Sequence, residues 1–333
     1  MTKSTQGSDP FAWRNGGGRI QVGNGEEGAI KCMMEINGQL FCITEKSIHS
    51  IMLADTIDPK RTNPTIPNSQ QKVFPYGTND PFVGRTLLQA KELFVDFALP
   101  ATINTTKAVS IAFSFLKEVA SVRETVNKYM AEEQAKDAAF KGEIGEEDSL
   151  QIPSIDNLDQ QVKQIVNSID HAILLIINTL QLFYPDIKIS KLVDKLIEEL
   201  EKQKDTTDDV KFIREINDWL RLVRNLRNSI EHPKENNRMD IKNYRLEETG
   251  SIQRPTIAFI NNETPFPEIA VRAFATSILD NLISCYEILI VYLCSIHAQP
   301  FAGDTRSVIE IPEDKRSDGE KNIRFGYHIA WTK

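Results

Sequence analysis

The chain has 333 residues, of which 41% are hydrophobic and 26% are charged. That length allows about two ordinary domains or one large one, and the composition excludes wholesale disorder, collagen and a coiled-coil rod. The 47 acidic residues outnumber the 39 basic ones, which gives a formal charge of -8. Such an acidic chain does not coat nucleic acid without selectivity, because phosphate contacts need clustered Lys and Arg. A local basic cleft remains compatible with it.

The N-terminus and the apolar stretches predict a cytoplasmic protein without a membrane span. Residues 1–10 are polar and lack the basic and then apolar segments of a signal peptide. The longest strongly apolar stretches, 172–177 and 288–296, are much shorter than the ~20 residues that a membrane-spanning helix needs. Both stretches are typical of buried helices.

All four cysteines are predicted to be reduced thiols: Cys32, Cys42, Cys285 and Cys294. A hairpin turn at Asn37–Gly38 would place Met33 opposite Cys42. Cys32 and Cys42 would then point to opposite faces of the hairpin and could not bond, and the other two cysteines lie too far apart on one predicted helix. The sequence has no CxxC pair and no closely spaced His pair, so we expect no zinc site and no cofactor.

The first 83 residues divide by composition into three segments. Residues 1–28 are rich in glycine and are predicted to form a flexible leader, since no strand precedes the glycines and no GK[ST] follows them. Residues 29–57 contain short β-rich runs around turn signals, which predict a small meander of about three strands. Residues 58–83 hold five prolines and are predicted to be a long loop or linker at the boundary between two regions.

From residue 84 to residue 300 the apolar residues recur with helical spacing, which predicts a helical bundle. The stretch 158–184 is apolar nearly all round, as is typical of the central helix of a bundle. A short hairpin is predicted near 239–262. Residues 301–333 alternate again and predict a C-terminal β-segment that could pair with the N-terminal strands. The predicted fold class is therefore mainly α, a helical bundle with small β additions at both termini.

One helix, predicted from Asp208 to the break at Pro233, carries the most informative pattern. Its apolar residues recur on a 4-3-7 spacing that forms one buried stripe: Ile216, Leu220, Val223 and Ile230. Arg227 occupies the missing position of that stripe. A guanidinium there must be paired or must line a cleft, because isolated burial of a charge is very costly. His232 follows at the helix end, and Asn228 lies between the two.

Each of these residues also has an ordinary structural explanation. Arg227 and Glu231 are four residues apart and could form a helix ion pair, and His232 is favoured at a helix C-terminus by the dipole. Arg224 and Asn225 offer a second RN pair with a longer gap to the histidine. On a straight helix, positions 227 and 232 lie ~140° apart at 100° per residue, so the two side chains converge only if the helix end unwinds.

The residues from Arg227 to His232 read RNSIEH and end a long helix of the predicted bundle. This motif resembles the R-[N/H/D]-x3–5-H signature of the HEPN superfamily, and the resemblance covers residues 84–300. In that family two helical protomers usually pair so that their motifs face one shared cleft, and many members are metal-independent endoribonucleases. The resemblance implies a homodimer that cleaves RNA as a toxin or anti-phage defence effector. It also implies a protein partner that neutralises or activates the enzyme.

The resemblance also implies a role for each motif residue. Arg227 would contact the scissile phosphate, Asn228 would orient the cluster, and His232 would act as acid or base. General chemistry supports these roles, because RNA supplies its own nucleophile and the protein needs only a proton acceptor, a proton donor and a positive charge. Histidine titrates near neutral pH, and the guanidinium fork matches phosphate oxygens. A symmetric dimer brings a second histidine, so that one accepts a proton while the other donates one.

Basic side chains cluster around the motif. Residues 211–245 hold nine basic and five acidic side chains in an otherwise acidic chain. This is the pattern of a selective RNA cleft, and a solvated helix face of mixed charge explains it equally well. The predicted RNA-binding residues are Arg221, Arg224, Lys234 and Arg238. We expect RNA as the ligand, with no DNA and no membrane.

Two alternative functions stay open. A non-catalytic HEPN-like module that binds nucleotides or protein partners would use Arg227 and His232 to hold its dimer together. A structural protein with a chance motif would instead pair Arg227 with a carboxylate from a neighbouring helix and leave the arginine inaccessible to a ligand.

Overall fold

The first two strands of the protein meet at a turn whose register the sequence predicts. A computed structural model describes residues 9–15, 21–140, 149–190, 192–203, 207–317 and 321–330. The turn residues Asn37 and Gly38 have φ values of +52° and +76°, the geometry of a type I′ hairpin turn. Met33 pairs with Cys42, so the predicted register is confirmed. Cys32, the neighbour of Met33, therefore points to the opposite face from Cys42.

A four-stranded antiparallel sheet contains this hairpin. Its strands lie side by side in chain order: β1 Ile30–Ile36, β2 Gln39–Thr44, β3 Ile48–Met52 and β4 Ser69–Phe74. The last strand lies inside the range 58–83, which the sequence predicts to be a loop or linker. The β4 sequence SQQKVF has no alternation of apolar and polar residues, because most of its side chains are exposed. Pairing with β3, and not its own residue pattern, makes this segment a strand.

The chain divides into two units, which consist of Met1–Glu92 with Ile309–Gly326 and of Leu93–Val308 with Tyr327–Lys333. The predicted leader 1–28 falls partly on residues 1–8 and 16–20, which lie outside the described residues. Short helical segments occur before residue 94: α1 Ala12–Asn15, α2 Ala54–Ile57, α3 Pro81–Val83, a π-helical turn Gly84–Leu88 and α4 Gln89–Leu93.

Long helices dominate the second unit: α5 Thr105–Ala139, α6 Leu158–Phe183, α7 Asp194–Glu201, α8 Thr207–Glu231 and α9 Val271–Ile296. α6 packs against α5, α8 and α9, which confirms the central helix that its apolar sequence predicts. Between α5 and α9 the rings of Phe115 and Tyr286, both fully buried, stack with their centroids 4.0 Å apart. The core of this unit therefore lies between these helices.

A small β-region separates α8 from α9 along the chain. It consists of short antiparallel strands: β5 Arg238–Lys242, β6 Arg245–Leu246, β7 Ile252–Gln253, β8 Thr256–Ile260 and β9 Phe266–Ala270. The three-stranded sheet has the order β5-β8-β9, and β6 pairs with β7. The sequence predicts only a hairpin near 239–262, and the helical spacing of the apolar residues over 267–297 predicts that the next helix begins at Pro267. Pro267 instead lies in β9, where the strand has no neighbour on its outer side within the described sheet.

The last two strands, β10 Thr305–Glu310 and β11 Phe325–Ala330, pair with each other in a separate ribbon. The sequence predicts a C-terminal β-segment that could extend the N-terminal sheet. Within the described residues that sheet contains β1 to β4 alone, so the predicted pairing is not formed.

The fold class is mixed α/β, since 48% of the described residues are helical and 20% are in strands or bridges. The prediction of a mainly α bundle with small β additions is wrong. Helices of the bundle carry strong apolar periodicity, whereas β4 is mostly exposed and polar, and β6 and β7 are only two residues long. Such strands lack a run of alternating apolar and polar residues that would predict them.

Two of the described helices, α6 and α9, are long and apolar enough to cross a bilayer by length and composition alone. In each, 56% of the most apolar 18 residues is buried inside the protein. Core helices of a bundle have the same composition. This is weak evidence about membranes, and the predicted cytoplasmic localisation stays a prediction.

His297, directly after α9, is expected to make the stability of the second unit depend on pH. Its ring contacts those of Phe183 and Tyr184. Burial lowers the pKa of His297 below its ordinary value, although the charge of Asp209 acts in the opposite direction. The unfolded chain therefore binds this proton at a higher pH than the folded chain does. The free energy of unfolding consequently falls as the pH drops below about 6.5, and it stops falling below the folded-state pKa.

Replacing His297 with phenylalanine keeps the aromatic contacts and removes the titration. We expect the variant to lose less stability than the wild type between about pH 7 and about pH 5. Urea denaturation followed by circular dichroism at several pH values measures this difference. The control is His171→Ala, which removes a histidine that is 66% exposed. If the free energy of unfolding depends on pH equally in the wild type and in His297→Phe, His297 is not the group responsible.

Candidate functional site

Arg227 lies beside the buried face of α8 and not at its centre. The buried residues of the last turns follow at three-residue steps, Val223, Leu226 and Ser229, while Ile230 is half-buried. Three-residue steps turn the buried face around the helix, because one turn takes 3.6 residues. The predicted stripe through Ile230 is therefore out of register at this end of the helix. The side chain of Arg227 keeps 30% of its surface exposed.

A buried carboxylate on α6 holds two arginines of α8. The side chain of Asp170 is 5% exposed, and its two oxygens lie 2.9 and 3.1 Å from Nη1 of Arg224. Nε of Arg227 lies 3.2 Å from Oδ2 of the same carboxylate. A buried charge needs such partners because its desolvation costs several kcal/mol. Asp170 thus fixes the orientation of Arg227 from inside the bundle.

Glu231 forms a second ion pair with Arg227. Nη2 of Arg227 donates to Oε1 of Glu231 at 2.7 Å, the i,i+4 pair that the ordinary explanation of the motif predicts. Within the described residues, Nη1 of Arg227 has no hydrogen bond. This nitrogen carries two N–H groups, so the outer edge of the guanidinium can still bind an anion such as a phosphate.

His232 follows the last residue of α8, and its side chain is exposed. Its backbone N–H donates to the carbonyl oxygen of Asn228 at 2.9 Å, so the helical spacing continues through His232. Five residues at 100° each place the side chains of Arg227 and His232 about 140° apart around the helix. The helix end does not unwind, and a single chain does not bring the predicted arginine and histidine together.

The other predicted members of the motif differ in accessibility. Asn228 is half-buried, and its side chain makes no hydrogen bond to the described part of the chain. In the alternative RN pair, Arg224 is only 12% exposed, and Asn225 donates to side chains of the loop after β8. Arg227 is therefore the arginine that a ligand can reach.

Most of the predicted RNA-binding residues are paired with acids. Arg221, Arg224 and Arg238 each have a nitrogen 2.9 to 3.0 Å from a carboxylate oxygen. Lys234 is exposed and has no ion pair with any residue that the structure describes. The local excess of basic residues in the sequence is thus largely neutralised in the fold, and Lys234 is the predicted RNA-binding residue without an ion pair in the described part of the chain.

Asp170 is the site residue that sequence reasoning did not select. The stretch SIDHAILLII places one carboxylate in an otherwise apolar helix, and a buried carboxylate requires a cation or several donors. That signal could have identified Asp170 as a paired residue. Its partners on α8 could not be identified in the same way, because the sequence does not tell which helix faces which.

The described His, Cys, Asp and Glu residues form no group of three or more that could hold a metal ion. All four cysteines are unpaired thiols. Burial raises the pKa of the thiols of Cys42 and Cys294. A thiol with a raised pKa is a poor nucleophile at neutral pH, so the Arg227 cluster is the better candidate for chemistry.

Comparison of the chain with models of protein families, with curated proteins and with solved structures finds no match. The functional interpretation therefore depends on the residues and the geometry described above.

Proposed function

We propose that the protein is a metal-independent endoribonuclease of the HEPN type that acts as a homodimer. The state of Arg227 is the observation that supports this most directly. Asp170 orients its guanidinium from inside the bundle, while 30% of the side-chain surface stays exposed. His232 lies little more than one turn further along. Its side chain is exposed and makes no hydrogen bond or ion pair with the described residues. A phosphate-binding cation and an available histidine are the groups that RNA cleavage requires.

The geometry of α8 favours a site that two protomers share. One chain directs Arg227 and His232 about 140° apart, so the histidine that serves a phosphate on Arg227 comes from the second protomer. One histidine accepts the proton of the 2′-OH, whose oxygen attacks the phosphorus. The 5′-oxygen leaves with a proton that the other histidine donates. The products are a 2′,3′-cyclic phosphate and a 5′-OH.

The biological role in this proposal, a toxin or anti-phage defence effector with a neutralising or activating protein partner, rests on the motif resemblance. The substrate is RNA, and the chemistry needs no metal or cofactor because the 2′-OH is the nucleophile.

The second candidate function is a non-catalytic HEPN-like module that binds nucleotides or protein partners. The ion pair between Arg227 and Glu231 favours this candidate, because it already engages Nη2 of the guanidinium at 2.7 Å. The pairing of Arg227 with Asp170 is also what a purely structural arginine would show. However, Arg227 is not inaccessible, since 30% of its side-chain surface is exposed.

Expression in a bacterial host separates the two candidates. We expect the wild-type protein to slow growth and Arg227→Ala to restore the growth rate of cells with an empty vector, because the variant lacks the phosphate contact. A matched control is Arg214→Ala, which removes an arginine that lies on α8 and is 58% exposed. Growth curves and immunoblots of equal protein amounts give the comparison. Unchanged growth with the wild type, or equal slowing with Arg227→Ala, would favour the non-catalytic module.

A further inference from the structure

A cavity of about 460 Å³ opens beside the last turn of α8, where the motif ends. Its walls come from the C-terminal end of α8, the first turns of α6 and the strand β5. Four of its lining side chains are apolar or aliphatic rings: Ile230, Pro233, Met239 and Ile241. Ligand sites for small molecules are concave and between about 300 and 1,000 Å³, and the volume of this cavity lies in that range. Its lining is about half apolar and half polar or charged.

The cavity adjoins the residues of the proposed catalytic motif. Ile230 is three residues after Arg227 and is therefore its neighbour on the helix surface. Pro233, on the other side, directly follows His232. One nucleotide of an RNA chain whose phosphate contacts Arg227 can therefore reach the cavity without crossing the bundle.

Polar groups at the cavity offer both signs of charge. Lys163 is half-buried and has no ion pair to any residue that the structure describes, whereas Lys242 pairs with Glu268 at 2.9 Å. Asp159 and Asp240 also line the cavity. A lysine that lacks a carboxylate partner can bind a phosphate, and carboxylates can accept hydrogen bonds from the amino groups of a base. Apolar walls with these groups suit a nucleotide better than an inorganic ion.

A second cavity of about 420 Å³ extends the first. It shares Asp159 and Ile241 as lining residues, and its other walls include the amide side chains of Asn157 and Gln160. The two cavities therefore adjoin each other at the start of α6 and β5, and together they are called the groove here.

We propose that this groove binds the nucleotide adjacent to the phosphate held by Arg227 and thereby sets the base preference of cleavage. The base lies against Ile230, Met239 and Ile241, and Lys163 contacts its phosphate. The part of this inference that concerns base preference rests on the proposed ribonuclease function. Binding of a nucleotide in the groove does not require that the protein cleaves RNA.

Calorimetric titration of the full chain with the four nucleoside 5′-monophosphates tests the proposal. We expect one of them to bind best, and Met239→Trp, which fills the cavity, and Lys163→Ala each to weaken that binding at least about 10-fold. Lys188→Ala is the charge-matched control, since Lys188 is exposed and lies outside both cavities. Thermal unfolding verifies that each variant folds.

The possible outcomes distinguish failure of the proposed nucleotide site from failure of the proposed ribonuclease function. If none of the four monophosphates binds, or if the wild type and both groove variants bind equally well, the proposed nucleotide site is wrong. Cleavage maps of one RNA then provide the link to activity. A cut-site preference that changes in Lys163→Ala supports the proposal, and an unchanged preference overturns its role in selectivity. Nucleotide binding that depends on the groove residues, without any RNA cleavage, would support the nucleotide site and contradict the proposed ribonuclease function.

Discussion

Replacing His232 with alanine is expected to lower the rate of RNA cleavage by a factor between about 10² and about 10⁴, the usual contribution of general acid–base catalysis. The proposed reaction loses its proton acceptor and, in a symmetric dimer, its proton donor as well. The side chain is exposed and makes no hydrogen bond or ion pair with the described residues. The substitution should therefore leave the free energy of unfolding unchanged within about 0.5 kcal/mol.

Incubation of purified protein with total tRNA and with a generic mRNA in EDTA measures this effect, and end-group analysis identifies the products. Cyclic-phosphate and 5′-OH ends that form with the wild type and not with His232→Ala would assign the histidine. The matched control is His328→Ala, which removes an exposed histidine on β11. Equal cleavage by the wild type and His232→Ala would mean a contaminating nuclease or a different catalytic residue. Cleavage by neither would favour the non-catalytic module.

The parts of the fold that could be predicted are those whose stability depends on local pattern. The turn at Asn37–Gly38 determines the hairpin register, because both residues tolerate positive φ. The apolar surface of α6 indicates a central helix, since only burial on all sides stabilises such a segment in water. Both predictions depend only on residues that are close together in the sequence. Neither requires knowledge of which distant segment packs against the hairpin or the helix.

The parts that could not be predicted depend on distant partners. β4 is a strand because β3 offers it a free edge, and its polar sequence carries no strand period. The placement of Arg227 depends on the same kind of information. A buried stripe that runs through Ile230 would place the arginine in the centre of the buried face. The observed buried face instead runs through Leu226 and Ser229. The packing of α8 against α6 and β5, which no local spacing encodes, determines that face.

Replacing Asp170 with asparagine is expected to lower the free energy of unfolding by about 3 kcal/mol, the range found when one partner of a buried ion pair is removed. The amide keeps the shape of the side chain but leaves Arg224 without its carboxylate partner and Arg227 with Glu231 alone. Arg224 is only 12% exposed and cannot recover its hydration without a rearrangement of α8. Urea denaturation measures the change. Asp218→Asn, which removes an exposed carboxylate on α8, is the control and should change little.

A double replacement separates stability from function. Asp170→Leu combined with Arg224→Met substitutes apolar side chains for the buried pair, and such substitutions are often neutral or stabilising. We therefore expect the double variant to regain most of the stability that Asp170→Asn loses. Arg227 is still present in it, but its Nε no longer has the carboxylate 3.2 Å away. If Asp170 positions Arg227 for the phosphate, the double variant stays defective in RNA cleavage despite its recovered stability. Full cleavage by a stable double variant would show that Asp170 serves the fold alone.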